Sequence, residues 1–105
     1  MLIVQNRIQV NKGFEDRFEQ GLQRGPQEEQ VPGRLFFARL KTDEPGVYIN
    51  MSAWESREAF ETWRGSEAFK RAHGGRQLEG AISGPPQLTV AEVIHSEGSL
   101  TSDSA

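Results

Sequence analysis

Asn6 is the first residue whose chemical type does not match its surroundings. It lies in the middle of a strand-like segment, on a face that otherwise carries Leu2, Val4, Ile8 and Val10. A buried amide without hydrogen-bond partners costs about 1–3 kcal/mol, so a partner is required. Taken alone, the pattern favours a structural asparagine that bonds to the backbone of a neighbouring loop. The alternative is a donor that points into an apolar cavity at a polar atom of a ligand.

Trp63 is the second candidate, and it lies one or two residues before a break in helical periodicity at Gly65-Ser66. Ala59 and Phe60 share its predicted helix face, which by itself indicates a core position. Its place near the end of the helix also allows the indole to line the seam between helix and sheet. A flat ligand could enter the protein at such a seam.

His73 is the third candidate and lies at the predicted end of the next short helix, four residues after Phe69. A lone histidine at such a position is most often solvated or caps the last carbonyl groups. The last turn of a helix also carries partial negative charge, which favours an electron-rich or cationic imidazole. A neutral imidazole there could ligate iron, and one axial ligand is all that a haem needs from the chain. The other histidine, His95, has no aromatic or acidic constellation around it, and we assign it no role.

These candidates depend on predicted elements in the order β-α-β-β-α-α-β. Alternating apolar positions predict strands, and apolar residues three or four apart predict helices. A Pro32-Gly33 turn precedes the second strand, and a turn at residues 42–46 joins the second and third strands into a hairpin. The predicted strands cover residues 1–10, 34–41, 47–54 and 87–95, and the predicted helices cover residues 14–23, the segment between Ser56 and Gly65, and Ser66 to about His73.

The order of elements predicts an α+β protein with one antiparallel sheet and its helices on one face, the ferredoxin-like or split-βαβ arrangement. Residues 1–96 form the predicted domain, and residues 97–105 form a predicted disordered tail. Both faces of the middle strands carry apolar or aromatic residues, so the face opposite the helices needs a cover. In a chain of 105 residues a second copy of the sheet is the simplest cover, and we expect a homodimer.

The composition excludes several classes of function. The chain has no cysteine, which excludes disulfides, thiolate metal sites and cysteine nucleophiles. Its 12 basic and 15 acidic residues give a net charge of −3, whereas nucleic-acid binding usually requires a concentrated basic surplus. No segment approaches the roughly 18–20 apolar residues that span a membrane, and the start of the chain does not predict a signal peptide. We therefore expect a cytoplasmic protein without nucleic-acid or membrane partners.

Three segments resemble the IsdG-type haem-degrading monooxygenases of the antibiotic-biosynthesis-monooxygenase superfamily. Residues 6–13 (NRIQVNKG) are similar to the family's opening motif, residues 54–63 (WESREAFETW) to its W-x-S-x-x-A-F-x-x-W segment, and residues 69–73 (FKRAH) to the F-K-x-A-H that ends the next helix. The tryptophan segment marks the whole superfamily, whereas the three candidate residues together are more specific. The resemblance covers residues 1 to about 96 and implies a ferredoxin-like dimer with a barrel between the two sheets.

The resemblance also implies a role for each candidate residue. His73 would be the proximal ligand of a haem iron. Asn6 would lie on the distal side and hydrogen-bond an oxygen species on the iron or a pyrrole nitrogen, while Trp63 would press against the macrocycle and distort it. Phe18, in an Arg17-Phe18 pair similar to an R-F pair of the family, and Phe69 would line the haem pocket.

The function that the resemblance implies is haem degradation, with haem as both cofactor and substrate. O2 would open the porphyrin ring at a meso carbon. The electrons would come from an external donor or reductase, because the sequence has no flavin or nicotinamide motif and none is expected to be bound. Two alternatives remain open: a cofactor-free monooxygenase of an anthrone or a quinol, with His73 as a base, and a haem-binding or trafficking protein without turnover.

Overall fold

The computed structural model describes residues 1–24, 31–67 and 81–98. For residues 22–24 it describes the backbone but not the side chains. Its elements are, in chain order, β1 (Leu2–Gln9), α1 (Glu15–Arg24), β2 (Arg34–Lys41), β3 (Val47–Trp54), α2 (Arg57–Arg64) and β4 (Gln87–Glu92). All but the first two residues of the predicted short helix that runs to His73 lie outside the described residues, as do residues 99–105 of the predicted tail. None of the described helices is long and apolar enough to cross a membrane.

Strands β2 and β3 have the predicted bounds, whereas β1 and β4 are shorter than predicted. β1 ends at Gln9. The backbone N–H of Val10 still donates to the carbonyl of Gly46, at 2.7 Å, in the register of the β1–β3 pairing, and Val10 forms an isolated bridge with Ile82. β4 stops at Glu92, before the predicted end at His95, because Glu92 pairs with Leu2, the first residue of β1. The shorter strands leave the predicted topology unchanged.

The four strands form one antiparallel sheet in the order β2-β3-β1-β4. Strand β3 pairs with both β2 and β1, and β4 pairs with the free edge of β1. This is the ferredoxin-like strand order, so the predicted fold class and the predicted β2–β3 hairpin are confirmed. The dimeric barrel that the resemblance implies stays a prediction.

The strand register sorts the side chains into two faces, because directly opposed residues share a face and alternate residues along a strand share a face. Val4 lies opposite Ser52 and Ile8 lies opposite Tyr48, and this face packs against the helices. The outer face carries mostly apolar side chains, which include Ile3, Phe36, Ala38, Leu40, Ile49 and Met51. The β2–β3 half of the outer face is therefore apolar, whereas β1 and β4 place Gln5, Arg7, Gln87 and Thr89 on it.

Among the residues that the structure describes, the core on the helix side forms two separate clusters. The α2 cluster consists of the buried residues Leu2, Val4, Trp54 and Phe60. The α1 cluster consists of the buried residues Ile8, Val10 and Tyr48, against which Phe14, Phe18 and Ile82 pack. Each helix thus covers a different end of β1, and the clusters do not merge at the middle of the strand.

Gly33 brings the turn before β2 directly against helix α2. Its φ of +80° lies in the left-handed region that favours glycine. A Cβ at this position would overlap the Cβ of Ala59, and the Gly33 carbonyl accepts a hydrogen bond from the N–H of Glu55 at 2.8 Å. The side-chain oxygen of Ser56, the predicted N-cap, accepts from the N–H of Ala59 at 3.1 Å. These contacts fix the start of the helix that carries Trp63.

We predict that Gly33→Ala lowers the free energy of unfolding by about 2–4 kcal/mol, because it adds a left-handed backbone penalty to an overpacked contact. Gly84→Ala is the matched control: its φ is +74° and no atom lies within 4 Å of the added Cβ, so we expect a loss of about 1–2 kcal/mol from the backbone alone. Urea unfolding followed by tryptophan fluorescence measures both. Equal losses for the two variants would show that the Gly33–Ala59 contact contributes nothing.

Candidate functional site

Asn6 lies in the gap between the two clusters. On the same face of β1 it is flanked by Val4 of the α2 cluster and Ile8 of the α1 cluster, which lie about 13 Å apart along an extended strand. Asn6 is half-buried, and its side-chain amide has no hydrogen-bond partner within the part of the chain that the structure describes. Among these residues, the amide therefore does not bond to the backbone of a neighbouring loop, and its polar atoms remain accessible to solvent.

The register aligns three further residues with Asn6 across the helix-side face. Asn50 on β3 and Leu88 on β4 lie opposite Asn6, and Arg39 on β2 lies opposite Asn50. We call this line of four residues, which runs from Arg39 through Asn50 and Asn6 to Leu88, the central row. Three of its members are polar. On β1 the flanking positions on this face, Val4 and Ile8, belong to the apolar clusters, whereas Ser52 on β3 and Lys41 on β2 are polar neighbours of the row.

Trp63 and Phe18 lie on opposite sides of the central row. Trp63 packs against the α2 cluster, and Phe18 packs against the α1 cluster. Both residues are half-buried, so each ring covers its cluster and keeps part of its surface accessible. The structure therefore brings Asn6, Trp63 and Phe18 to one face of the sheet, with the amide between two aromatic side chains.

Trp54 supports the Trp63 ring from behind. The two ring centroids are 5.4 Å apart, with an angle of 37° between the ring planes. Trp54 is fully buried, its Nε1 donates to the Ser52 hydroxyl at 2.9 Å, and Phe60 packs against it at a centroid distance of 5.6 Å. The packing that the helical pattern predicted for Trp63 is confirmed. Because Trp54 is fully buried and packed on both sides, it forms a well-fixed support for the Trp63 indole.

Phe18 is held in place by Tyr48, whose ring centroid lies 4.8 Å away. The Tyr48 hydroxyl donates to a Glu19 carboxylate oxygen at 2.5 Å, and Lys41 Nζ lies 2.9 Å from the same oxygen. Burial, followed by the hydrogen bond to Glu19, raises the pKa of Tyr48 to about 12. The hydrogen bonds from Tyr48 and Lys41 hold the pKa of Glu19 below its usual value. This network fastens the first turns of α1 to β2 and β3.

Two predicted site residues, Phe69 and His73, lie outside the described residues. The other histidine, His95, lies after β4, with its Nε2 2.9 Å from a Glu97 carboxylate oxygen. Glu97 follows His95 by only two residues in the chain. Both side chains are more than 70% exposed, at 75% and 86%, and the pair lies in an irregular segment after β4. It therefore offers no binding site.

Arg39 and Asn50 were not among the candidate residues predicted from the sequence. A signal for Asn50 was present, because it is an amide on the face of β3 that carries Trp54. No such signal existed for Arg39, because the pairing of β2 with β3 shifts at a bulge between Arg34 and Phe36. A bulge breaks the alternation from which the face of a residue is read. Only the register of the folded sheet places Arg39 in the central row.

A concave region of about 450 Å³ lies between the start of α1 and the β2–β3 turn, and its lining shares no residue with the central row. Its charged lining residues are the carboxylates Glu15, Asp16, Glu19, Asp43 and Glu44 and the cation Lys41. Within residues 1–24, 31–67 and 81–98, no three histidine or acidic side chains are arranged to hold a metal ion. A polar, acidic lining of this kind does not suit an apolar ligand.

The sequence profile of the antibiotic biosynthesis monooxygenase family matches residues 1–75, a range that includes β1, α1, β2, β3 and α2. This chain belongs to that family. A staphylobilin-producing heme oxygenase of Staphylococcus haemolyticus is 32% identical to it over 89 residues, which are 81% of this chain and 85% of that protein.

Solved structures of family relatives are similar over almost the whole chain. The heme-degrader MhuD of Mycobacterium tuberculosis, with two hemes bound in its active site, superposes with a TM-score of 0.73 and 29% identity, over 93% of this chain and 100% of that one. A mutant of MhuD with two manganese protoporphyrin IX molecules bound per active site superposes with a TM-score of 0.76 and 28% identity, over 94% and 100%. These relatives confirm the resemblance to the haem-degrading members of the family.

We predict that Tyr48, the only tyrosine of the chain, ionises near pH 12 in the folded protein. The fold favours the neutral phenol, so its contribution to stability is complete below pH 10 and is lost as the pH rises from about 10 to about 12. Phenolate absorbance against pH measures the midpoint. Glu19→Gln removes the acceptor's charge and lowers the midpoint without returning it to 10, because burial remains.

Glu58→Gln, a change of the same charge on α2, is the control and leaves the midpoint unchanged. A midpoint near pH 10 in the folded wild-type protein, equal to that in concentrated urea, would contradict the buried Tyr48–Glu19 contact.

Proposed function

We propose that this protein is a haem-degrading monooxygenase that takes haem as both cofactor and substrate and opens its ring with O2 and electrons from an external donor. The observation that carries the proposal is the available amide of Asn6 between two apolar clusters with aromatic flanks. The relatives add support, because one is named a heme oxygenase and another a heme-degrader. The cofactor-free alternative gains no observation of its own from the helix-side face.

The described residues fit a porphyrin in their chemistry. A porphyrin is flat and apolar over most of its surface, and the α2 and α1 clusters supply apolar walls for it. Its centre is polar, and Asn6 lies at the middle of the row between those walls. His73 is the residue that would hold the iron, and Phe69 would line the pocket beside it; both assignments rest on the resemblance of residues 69–73 to the family motif.

When bound, haem supplies the activation of O2 for attack on its own ring. Asn6 contributes a hydrogen-bond donor directed into the slot. Its amide is not an acid, so it orients a polar atom without transferring a proton. This favours holding oxygen near the ring over protonating and splitting it.

Trp63 restricts the conformation that a bound porphyrin can adopt. Its ring is backed by the buried Trp54, so contact with the indole would be relieved more easily by distortion of a bound haem than by movement of Trp63. Trp63 would thus hold a bound haem in a distorted shape that favours opening of its ring. Phe18, fixed by Tyr48, closes the opposite side of the slot and excludes water from it.

We further propose that two copies of the chain pack through the outer faces of their sheets. The apolar residues of that face, among them Phe36, Ile49 and Met51, are only half-buried, and Leu40 is 37% exposed. A contiguous apolar face of this kind marks an interaction surface, and a twofold dimer buries it against itself. The proposed enzyme works in the cytoplasm, where reductases can supply its electrons.

The direct test of the activity is aerobic incubation of the haemin complex with a chemical reductant, with the products identified by mass spectrometry. The proposal expects loss of the Soret band and a ring-opened tetrapyrrole with release of iron. A stable Soret band in the presence of reductant and air would identify a haem carrier. Absence of any Soret shift on addition of haemin would contradict haem use altogether.

We predict that His73→Ala weakens haemin binding at least tenfold and changes the position of the Soret band, because the variant loses the axial ligand. His95→Ala is the matched control and binds haemin as the wild-type protein does, since the His95 side chain is exposed after the end of β4. Titration of each protein with haemin measures both quantities. Wild-type affinity and an unchanged spectrum in His73→Ala would remove that residue from the site.

We predict that Asn6→Ala retains haemin binding and slows ring opening by about 10- to 100-fold, the value of one hydrogen bond to a charged or strongly polar partner. Gln5→Ala removes an amide from the neighbouring position, whose side chain faces the other side of the sheet, and serves as control. Single-turnover decay of the Soret band gives the rates. Full turnover in Asn6→Ala would contradict the role of the amide.

A further inference from the structure

We propose that Arg39 binds the carboxylates of the porphyrin and thereby sets the direction in which the ligand lies across the sheet. The inference rests on the proposed function, since it concerns the same slot. It assigns a binding role to a residue that the recognised sequence motifs do not contain, and it follows from the register of the central row.

Arg39 is positioned within reach of a ligand that lies over Asn6. The two residues lie on the same face in one row, separated by the single strand β3. Neighbouring strands are about 4.8 Å apart, so their backbones are separated by about 10 Å. A ligand centred over Asn6 therefore extends toward the guanidinium, and a carboxylate at its edge comes within the reach of an arginine side chain.

The conformation and charge of Arg39 suit the binding of a carboxylate. Its guanidinium carbon lies 4.9 Å from the centroid of the Phe37 ring, a cation–π contact that orients the planar group. The neighbouring cation on the same face, Lys41, is committed to Glu19, and Arg7 is committed to Glu44. Arg39 forms no ion pair with any carboxylate of the described residues. Its donors suit two-point recognition of a carboxylate.

The opposite end of the central row is apolar. Leu88 on the edge strand β4 is 46% exposed on the same face, so the row is cationic at β2 and apolar at β4. Protoporphyrin has the same polarity, because both propionates lie at one edge and only methyl and vinyl groups lie at the other. Matching the two directs the propionates toward β2. Asn50, between Asn6 and Arg39, adds a second amide beneath that half of the ring.

The test compares haemin with haemin dimethyl ester, in which both carboxylates are blocked, for the wild-type protein, Arg39→Gln, Arg39→Lys and Arg57→Gln. Arg57 lies at the start of α2, and its exposed guanidinium is 3.9 Å from Glu92, so Arg57→Gln is a control for net charge. Dissociation constants come from Soret titrations. They require no turnover.

We expect Arg39→Gln to weaken haemin binding about three- to tenfold, as for a partly exposed charged contact. We expect it to leave the affinity for the diester unchanged, and Arg57→Gln to match the wild-type protein with both ligands. Arg39→Lys keeps the charge but not the planar fork, and recovers part of the loss.

Unchanged haemin affinity in Arg39→Gln would overturn the inference, and so would an equal loss for haemin and the diester, which would indicate a structural role. Either result leaves the proposed function intact. Failure of the wild-type protein to bind either porphyrin would instead overturn the proposed function and the inference with it.

Discussion

The antiparallel register of β1 against β3 is the constraint on which the rest of the structure depends. It places Asn6 opposite Asn50 on the face that both helices cover, so an amide pair lies between the two apolar clusters. A slip of β1 by one residue would turn Asn6 to the outer face and bring Gln5 or Arg7 toward the helices. Burying a polar group without a partner is unfavourable. The fold meets this constraint by keeping Asn6 only half-buried, and no described side chain bonds to its amide.

The division of the core follows from the same constraint. Helix α2 is fixed at one end of β1 through Gly33 and the cap at Ser56, and α1 is fixed at the other end through the Tyr48–Glu19 contact. Each helix therefore has its own apolar cluster and its own aromatic side chain beside the gap. Among the described residues, the helix-side core is packed toward both ends of β1 and leaves Asn6 between the two clusters. The proposed function places a flat, apolar ligand with a polar centre at this position.

Local patterns were sufficient to predict much of this arrangement. The bounds of β2 and β3, the N-cap at Ser56 and the misplaced amide at Asn6 all follow from neighbours within a few residues. Contacts between distant segments were not predictable. Tyr48 and Glu19 are 29 residues apart, and Arg39 joins the central row only through pairing that a bulge shifts. The sequence also could not show that Asn6 has no partner among the described residues, because this depends on where the loops and helices pack. For the same reason, a core position and a ligand-facing position of Trp63 looked like alternatives, whereas a half-buried ring is compatible with both.

The central claim is that one flat ligand lies over Asn6, between Trp63 and Phe18. The measurement that tests it most directly is nuclear magnetic resonance of the labelled protein during titration with gallium protoporphyrin IX, a diamagnetic analogue of haem whose ring current shifts nearby protons. The side-chain amide of Asn6, the indole N–H of Trp63 and the ring protons of Phe18 should shift together at one ligand concentration, while the methyl group of Met51 on the outer face does not. Shifts at Met51 with no change at Asn6 would contradict the account.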